Sequence, residues 1–379
     1  EALERQLAAA RTLRALLASN RERLLAEAES RGLVPLLFGW LRPGQPALVQ
    51  LEALWCLTNA AAAAAAAQPS RLPVLLPAVP CLVALLDGTD RPLGCGEETA
   101  EQILWLLGAL AANSALDRNA VLQANPLPPL ARCLTRHDGC RSLVKIGAWA
   151  LSSLCDGQPR PTLEDAALMP TLYLLSLLLQ HPDGEVLAHA CWTCSHLCDG
   201  PARHVRAVVD AGLCARLVDL LLHRSWRVAK PALRAVGNIV CAEDKVDHTG
   251  CVIDANAVPR LQQLISHGNR EIQKEACWTL SNIAAGTEAQ IQSVLDSGAM
   301  PRVLQLAIAC PAAPPKTAGS TVVRAEAAWT VLNAATCGTN AQIAQLVGTG
   351  LVGVLLALLD VESMSMMALE AVERVLQVG

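Results

Sequence analysis

Aromatic side chains are scarce in this sequence, with one Phe and one Tyr among 379 residues. A β-sandwich draws on aromatic and β-branched residues, so a 53% hydrophobic content dominated by Ala and Leu points instead to closely packed helices. A strong excess of charge is missing too. The net charge of −4 gives no phosphate-binding bias, so nucleic acid is not expected as a partner and a basic peptide is the more natural charged ligand. No apolar run reaches the roughly 18 residues of a membrane span, and no membrane partner is expected. The chain begins at Glu1 rather than Met, and no signal-peptide pattern is present. Nor is there a Gly-rich phosphate loop after a strand, a His/carboxylate pair at metal spacing or a nucleophile elbow. A non-enzymatic role without cofactor or metal is expected.

What the chain does have is eight Trp, and they expose a repeat. The stretches "LEALWCLTNA" (51–60), "EQILWLLGAL" (101–110), "KIGAWALSSL" (145–154), "LAHACWTCSHL" (187–197), "PALRAVGNIV" (231–240), "KEACWTLSNI" (274–283) and "AEAAWTVLNA" (325–334) align. Six share a Trp, at 55, 105, 149, 192, 278 and 329; Arg234 stands there in the fifth copy, and Glu370 in a weaker eighth, "ALEAVERVLQ" (368–377). Successive spacings are 50, 44, 43, 42, 44, 51 and 41 residues, the period of armadillo or HEAT units. Each Trp segment follows an apolar helix. In "GLVPLL", "AVPCLV", "LPPLAR", "LMPTLY", "AVPRLQ" and "AMPRVL" a Pro is expected in the first turn, where its missing N–H costs nothing. The long spacings match loop-like insertions at 87–99 and 311–320. The expected fold is all-α, a right-handed superhelical armadillo solenoid forming one domain over 1–379. Its approximate repeats are 1–67, 68–116, 117–160, 161–202, 203–246, 247–289, 290–340 and 341–379. The Trp helices are expected side by side, lining the concave surface.

Fifteen cysteines, an odd number scattered through apolar helices, read as reduced intracellular thiols. The stretch "HACWTCSHLCDG" (189–200) invites a zinc or redox reading, but the repeat register answers it. One residue before the Trp position stand Leu54, Leu104, Ala148, Cys191, Leu233, Cys277 and Ala328. Two after it come Leu57, Leu107, Leu151, Cys194, Val236, Leu280 and Val331; six after it, Ala61, Ala111, Cys155, Cys198, Val240, Ala284 and Ala335. This i, i+3, i+7 spacing is one buried stripe, in which Cys191, Cys194 and Cys198 fill core slots as small hydrophobes.

The Trp position and the one four residues on share a different face. Asn59, Ala109, Ser153, His196, Asn238, Asn282 and Asn333 occupy the latter. Asn is a poor helix former and an exposed Trp is unfavourable without a purpose, so their recurrence suggests a ladder for an extended peptide. An Asn amide donates and accepts, gripping backbone regardless of side chain. Indole slots hold aliphatic stems, with cation–π attraction to Lys or Arg of roughly 0.5–2 kcal/mol each.

At these residues the sequence resembles importin-α, the armadillo adaptor of nuclear import. "QLEALWCLTNA", "PALRAVGNIV", "KEACWTLSNIAAGT", "EAAWTVLNAATCGTN" and "HACWTCSHLCDGP" are similar to its repeat signatures, and the resemblance covers essentially the whole chain. It implies recognition of basic nuclear localisation signals of cargo proteins in cytoplasm and nucleus, through a larger site over repeats one to four and a smaller one over repeats six to eight. The family's basic amino-terminal segment, which binds importin-β, and its carboxy-terminal region, which contacts the export factor, are not among these residues. Importin-β is therefore expected as a partner only if the full-length protein carries that segment.

Departures from the family concentrate in the larger site. Trp55, Trp105, Trp149 and Trp192 remain, but Asn59 alone keeps its ladder amide: Ala109 and Ser153 replace the next two, and Asn113 stands for the family's lysine-binding Asp. "AAAAAAAA" (60–67) overwrites the turn after Asn59 and reads as an extended helix. The smaller site keeps Trp278, Asn282, Trp329 and Asn333, joined by Asn238, and Arg234 resembles the family's own Arg. Glu275 and Glu326, three residues before a Trp, place carboxylates beside the slots, with Asp244 a further acid nearby. Two lost amides at roughly 0.5–1.5 kcal/mol each and a weakened lysine contact at about 1.5–3 kcal/mol weaken the larger site by about a hundredfold or more. Repeats six to eight are expected to carry most of the affinity. The rival reading is an armadillo scaffold outside import, dedicated to one partner.

Overall fold

Helix follows helix throughout the computed structural model, which describes residues 1–19, 23–67, 69–88, 96–242, 246–308 and 318–378. Among these there is no strand. The chain folds as two compact units, Glu1–His196 and Leu197–Gly379. In the first, the Trp55 helix (Ala47–Ala67) packs on the Trp105 helix (Glu97–Asn113), which packs on the Trp149 helix (Arg141–Cys155). In the second, the Arg234 helix (Trp226–Val240) packs on the Trp278 helix (Arg270–Ala284), and that on the Trp329 helix (Ala318–Cys337). Each also packs on the helix before it, as Leu127–Arg136 does on the Trp149 helix and Ala257–Leu264 on the Trp278 helix.

The buried stripe runs where the register puts it. Leu104, Leu107, Cys191, Cys194, Cys277 and Leu280 are fully buried and Cys198 is 4% exposed. Burying a leucine of this kind stabilises the fold by about 1.5–3 kcal/mol, so each helix is held chiefly by what it packs against. Burial pushes the Cys155 thiol up to about 12 and the Cys198 thiol further. Both stay protonated at neutral pH, whereas the thiolate is the form that ligates metal or attacks a disulfide.

Local rules account for most helix ends. The alanine octet continues the Trp55 helix to Ala67. Thr287 and Thr339 each close a capping box with the Gln three residues on, satisfying otherwise orphaned N–H groups. Between paired helices the chain turns through left-handed backbone, at Gly212 and at Asn256 for example, before the second helix begins.

Two expectations are corrected. Pro170 does not open its helix. That helix starts at Asp165, because the preceding Asp-Ala-Ala-Leu-Met favours helix and the acid sits well at a helix N-terminus. One helix, Ala47–Ala65, is long and apolar enough to cross a membrane, against the expectation that no run is; but 67% of it is buried inside the protein. Of the two insertions, residues 97–99 and 318–320 are already helical, while 89–95 and 311–317 lie outside the described residues.

Candidate functional site

Trp55, Trp105, Trp149, Trp192, Trp278 and Trp329 are all half-buried, each flanked by fully buried neighbours. Asn59, Ala109, Ser153, Asn282 and Asn333, one turn on, are half-buried as well, whereas His196 and Asn238 are each only 8% exposed. The floor beneath the indoles was not read from the sequence. Three residues after the Trp or Arg position stand Thr58, Gly108, Ser152, Ser195, Gly237 and Ser281, all small, whereas Leu332 follows Trp329, the last Trp of the series. A Cβ on Gly108 would fall 2.6 Å from Cζ3 of Trp149, and one on Gly237 would enter the Trp278 ring. At these rungs the indole lies directly on the backbone of the preceding repeat. The recurring small residue was the available signal.

In the first unit most of the ladder is satisfied internally. Trp55 donates its indole N–H to Glu98 at 3.0 Å. Glu52, three residues before it, is nearly buried between Arg11 at 3.2 Å and Arg14 at 3.1 Å. Asn59 makes a long contact to the Arg14 carbonyl. Asn113 donates to the buried Asp117 of the next helix, which Ser114 also contacts. The Trp105 and Trp149 rings are 6.5 Å apart between centroids, less than the roughly 7–8 Å that two carbon contacts across an inserted stem require. His196 stacks on Trp192 at 5.7 Å and sits 3.5 Å from an Asp156 carboxylate oxygen. No side-chain hydrogen bond engages Ser153 among the described residues.

The second unit is arranged differently. The Arg234 guanidinium lies 5.0 Å over the Trp278 ring and bonds Glu275 at 2.7 Å. Glu275 also meets Lys274 at 3.1 Å, so this acid is fully engaged. Asn282 donates to the Cys241 sulfur at 2.7 Å and Asn333 to the Ser281 carbonyl at 2.9 Å. Asn282 and Asn333 are thus each anchored through one N–H to the preceding repeat, and nothing else among the described residues engages these two amides. Glu326 is half-buried, and no ion pair holds its carboxylate among the described residues. Burial pushes its pKa up; nearby Lys274 and Arg234 oppose that and Glu275 adds to it. Beside Trp278 lies a cleft of about 310 Å³ whose wall includes Asp199, Asn238 and Cys241. Asp244 lies outside the described residues.

Residues 201–241 and 245–285 match the Armadillo/beta-catenin-like repeat family. A crystal structure of an engineered protein superimposes with a TM-score of 0.66 at 25% identity, covering 98% of this chain and 95% of that one. A designed armadillo repeat protein in complex with peptide (KR)4 matches with a TM-score of 0.50 at 23% identity, over 78% of this chain and 99% of its own. The chain is an armadillo-repeat protein. Within that class it is similar to importin α subunits. Rice importin subunit alpha-1a is 37% identical over 298 residues, 77% of this armadillo chain and 53% of the relative. Rice importin subunit alpha-1b is 37% identical over 63% of the chain and 43% of the relative, and Arabidopsis thaliana importin subunit alpha-3 is 34% identical over the same shares. The chain spans about half the length of these curated relatives.

Proposed function

We propose that this armadillo protein is a nuclear import adaptor, non-enzymatic, that holds Lys/Arg-rich localisation signals as extended peptides on its Trp/Asn ladder in cytoplasm and nucleus. The rungs of repeats six to eight are the principal site. Glu326 carries this reading. Of the acids three residues before a ladder Trp, Glu52 and Glu275 are paired with arginine, and Glu326 is left to attract a cation from outside. Held half-buried on the Trp329 helix, its charge is poorly solvated, so an incoming ammonium or guanidinium gains more there than at the surface. Trp278 and Trp329 supply apolar faces for the stem, and the anchored Asn282 and Asn333 are ordered before the peptide arrives, which lowers the cost of binding. Helices roughly 8–10 Å apart meet an extended chain rising about 3.3 Å per residue, so one rung serves two or three ligand residues.

The likeness to importin α subunits over 77% of the chain supports the same ligand class. Since the chain spans half of those relatives, importin-β is a partner only where the full-length protein carries a basic amino-terminal segment. The test is a fluorescence anisotropy titration with a labelled lysine-rich bipartite signal peptide and its Lys→Ala counterpart. Micromolar or tighter binding, lost in the counterpart and reduced by salt, is the expected result. Equal binding of the two peptides would favour the second reading, a scaffold for one dedicated partner. The observation on that side is the first unit, where the protein's own groups already occupy the rungs.

A further inference from the structure

Three helices of the first unit meet at a cleft of about 260 Å³ lined by Trp105, Lys145, Ile146, Trp149, Glu185 and His189. Indoles and carboxylate together are what a pocket for a basic side chain requires, yet a cation of the protein is already there. Lys145 stands four residues before Trp149, one turn back on the same face. Its Nζ lies 2.6 Å from Oε2 of Glu185 and 3.0 Å from Oδ2 of Asp183. Arg141, a further turn back, closes on the same Asp183 oxygen at 2.9 Å. Two acids thus face two bases, and no carboxylate charge remains for a ligand. His189, the remaining titratable group of the wall, is desolvated and held neutral at pH 7, adding no attraction for a cation.

A purely structural account of Lys145 has its own support. Lys230 occupies the same register in the fifth repeat and reaches Glu271 at 3.6 Å, as Lys145 reaches Glu185 one repeat on. Both pairs therefore staple one repeat to the next. What separates them is location: Lys145 lines a cleft walled by two half-exposed indoles. A basic ligand entering there would meet an ammonium and find its counter-charges taken.

We propose that Lys145 is a built-in occupant of this cleft, a specificity-determining residue that stands in for a ligand lysine and turns basic peptides away from repeats two to four. This rests on the peptide-binding reading above. The experiment uses the Trp278→Ala/Trp329→Ala protein, in which the second unit's rungs are removed, and titrates a labelled octapeptide of alternating Lys and Arg. Adding Lys145→Ala is expected to raise affinity at least tenfold, and Lys145→Met, which keeps the stem, to do likewise. Glu185→Gln added to either should cancel the gain. Lys230→Ala, which removes the matching staple away from the cleft, should leave affinity unchanged. If neither Lys145 variant binds more tightly than its parent while thermal melts show a folded protein, the pair is a staple only and the inference is overturned. Should Lys145→Ala unfold, Lys145→Met decides. Failure of the underlying reading looks different: the unsubstituted protein would bind the octapeptide no better than a Gly/Ser octapeptide, whereas the gain on removing Lys145 is measured against its own parent.

Discussion

The two units share one register, and they differ in what that register has left to offer. In the first unit the indole N–H of Trp55 goes to Glu98, Glu52 lies between two arginines, Trp105 meets Trp149, His196 covers Trp192 and Lys145 neutralises the nearby acids. In the second, Arg234 is placed on Trp278 and Glu275, while the Glu326 carboxylate has no ion-pair partner among the described residues. On the proposed function, the same repeat is therefore a packing surface or a receptor according to whether its polar groups are already paired. Paired groups contribute stability, and breaking their contacts to accommodate a ligand carries the full desolvation cost of whatever is left unsatisfied. On the proposed reading, specificity for one unit arises as much from closing the other as from opening this one.

The strongest way to break this comparison is to remove matched rungs. Trp278→Ala with Trp329→Ala is expected to weaken a basic signal peptide by about a hundredfold or more, as loss of paired aromatic anchors does. Trp105→Ala with Trp149→Ala is expected to change affinity by less than about threefold. Anisotropy titrations on both double variants measure this directly. Equal losses would mean that the first unit binds despite its internal contacts.

A finer cut exchanges the glycine floors. An alanine at Gly237 or at Gly108 would drive its Cβ into the indole packed there, Trp278 or Trp149. Overpacking of this kind costs about 1–3 kcal/mol, so both variants should melt at lower temperature. Peptide affinity should separate them, falling about tenfold for Gly237→Ala and staying level for Gly108→Ala. A shared loss of affinity would tie the first unit's indole to the ligand as well.

How far the molecule can be read from its sequence follows from the reach of each interaction. The buried stripe and the helical alanine octet depend on neighbours within two helical turns, and Leu104, Cys194 and Leu280 lie buried where the register places them. The thiols of residues 189–200 occupy slots that Leu, Ala and Val fill in other repeats, which identifies them as core. Pairing is another matter. Glu98 lies 43 residues from Trp55, and Arg11 lies 41 from Glu52. No local pattern says which cation reaches which acid. Asn113 shows the same limit, because its turn toward Asp117 depends on where the next helix starts. Departures from the importin-α pattern mark the first unit as different, and its internal contacts are the physical form of that difference.

The smallest expected effect is the most selective for Glu326. Burial raises its pKa, so it takes up a proton at a higher pH than an exposed glutamate. A basic peptide is attracted by the ionised form alone. Affinity is therefore full above the raised pKa and falls as pH drops through it, by about twofold where half of the protein is protonated. Stability moves the other way. Between the unfolded and the folded pKa the native state holds more protons than the unfolded chain, so this group's contribution to stability rises as pH falls. Opposite slopes for peptide affinity and thermal stability over one pH window, both removed by Glu326→Gln, would assign the titration to this carboxylate. Slopes of the same sign, or slopes that survive the substitution, would show that other acids govern the pH response and that Glu326 does not distinguish the two units.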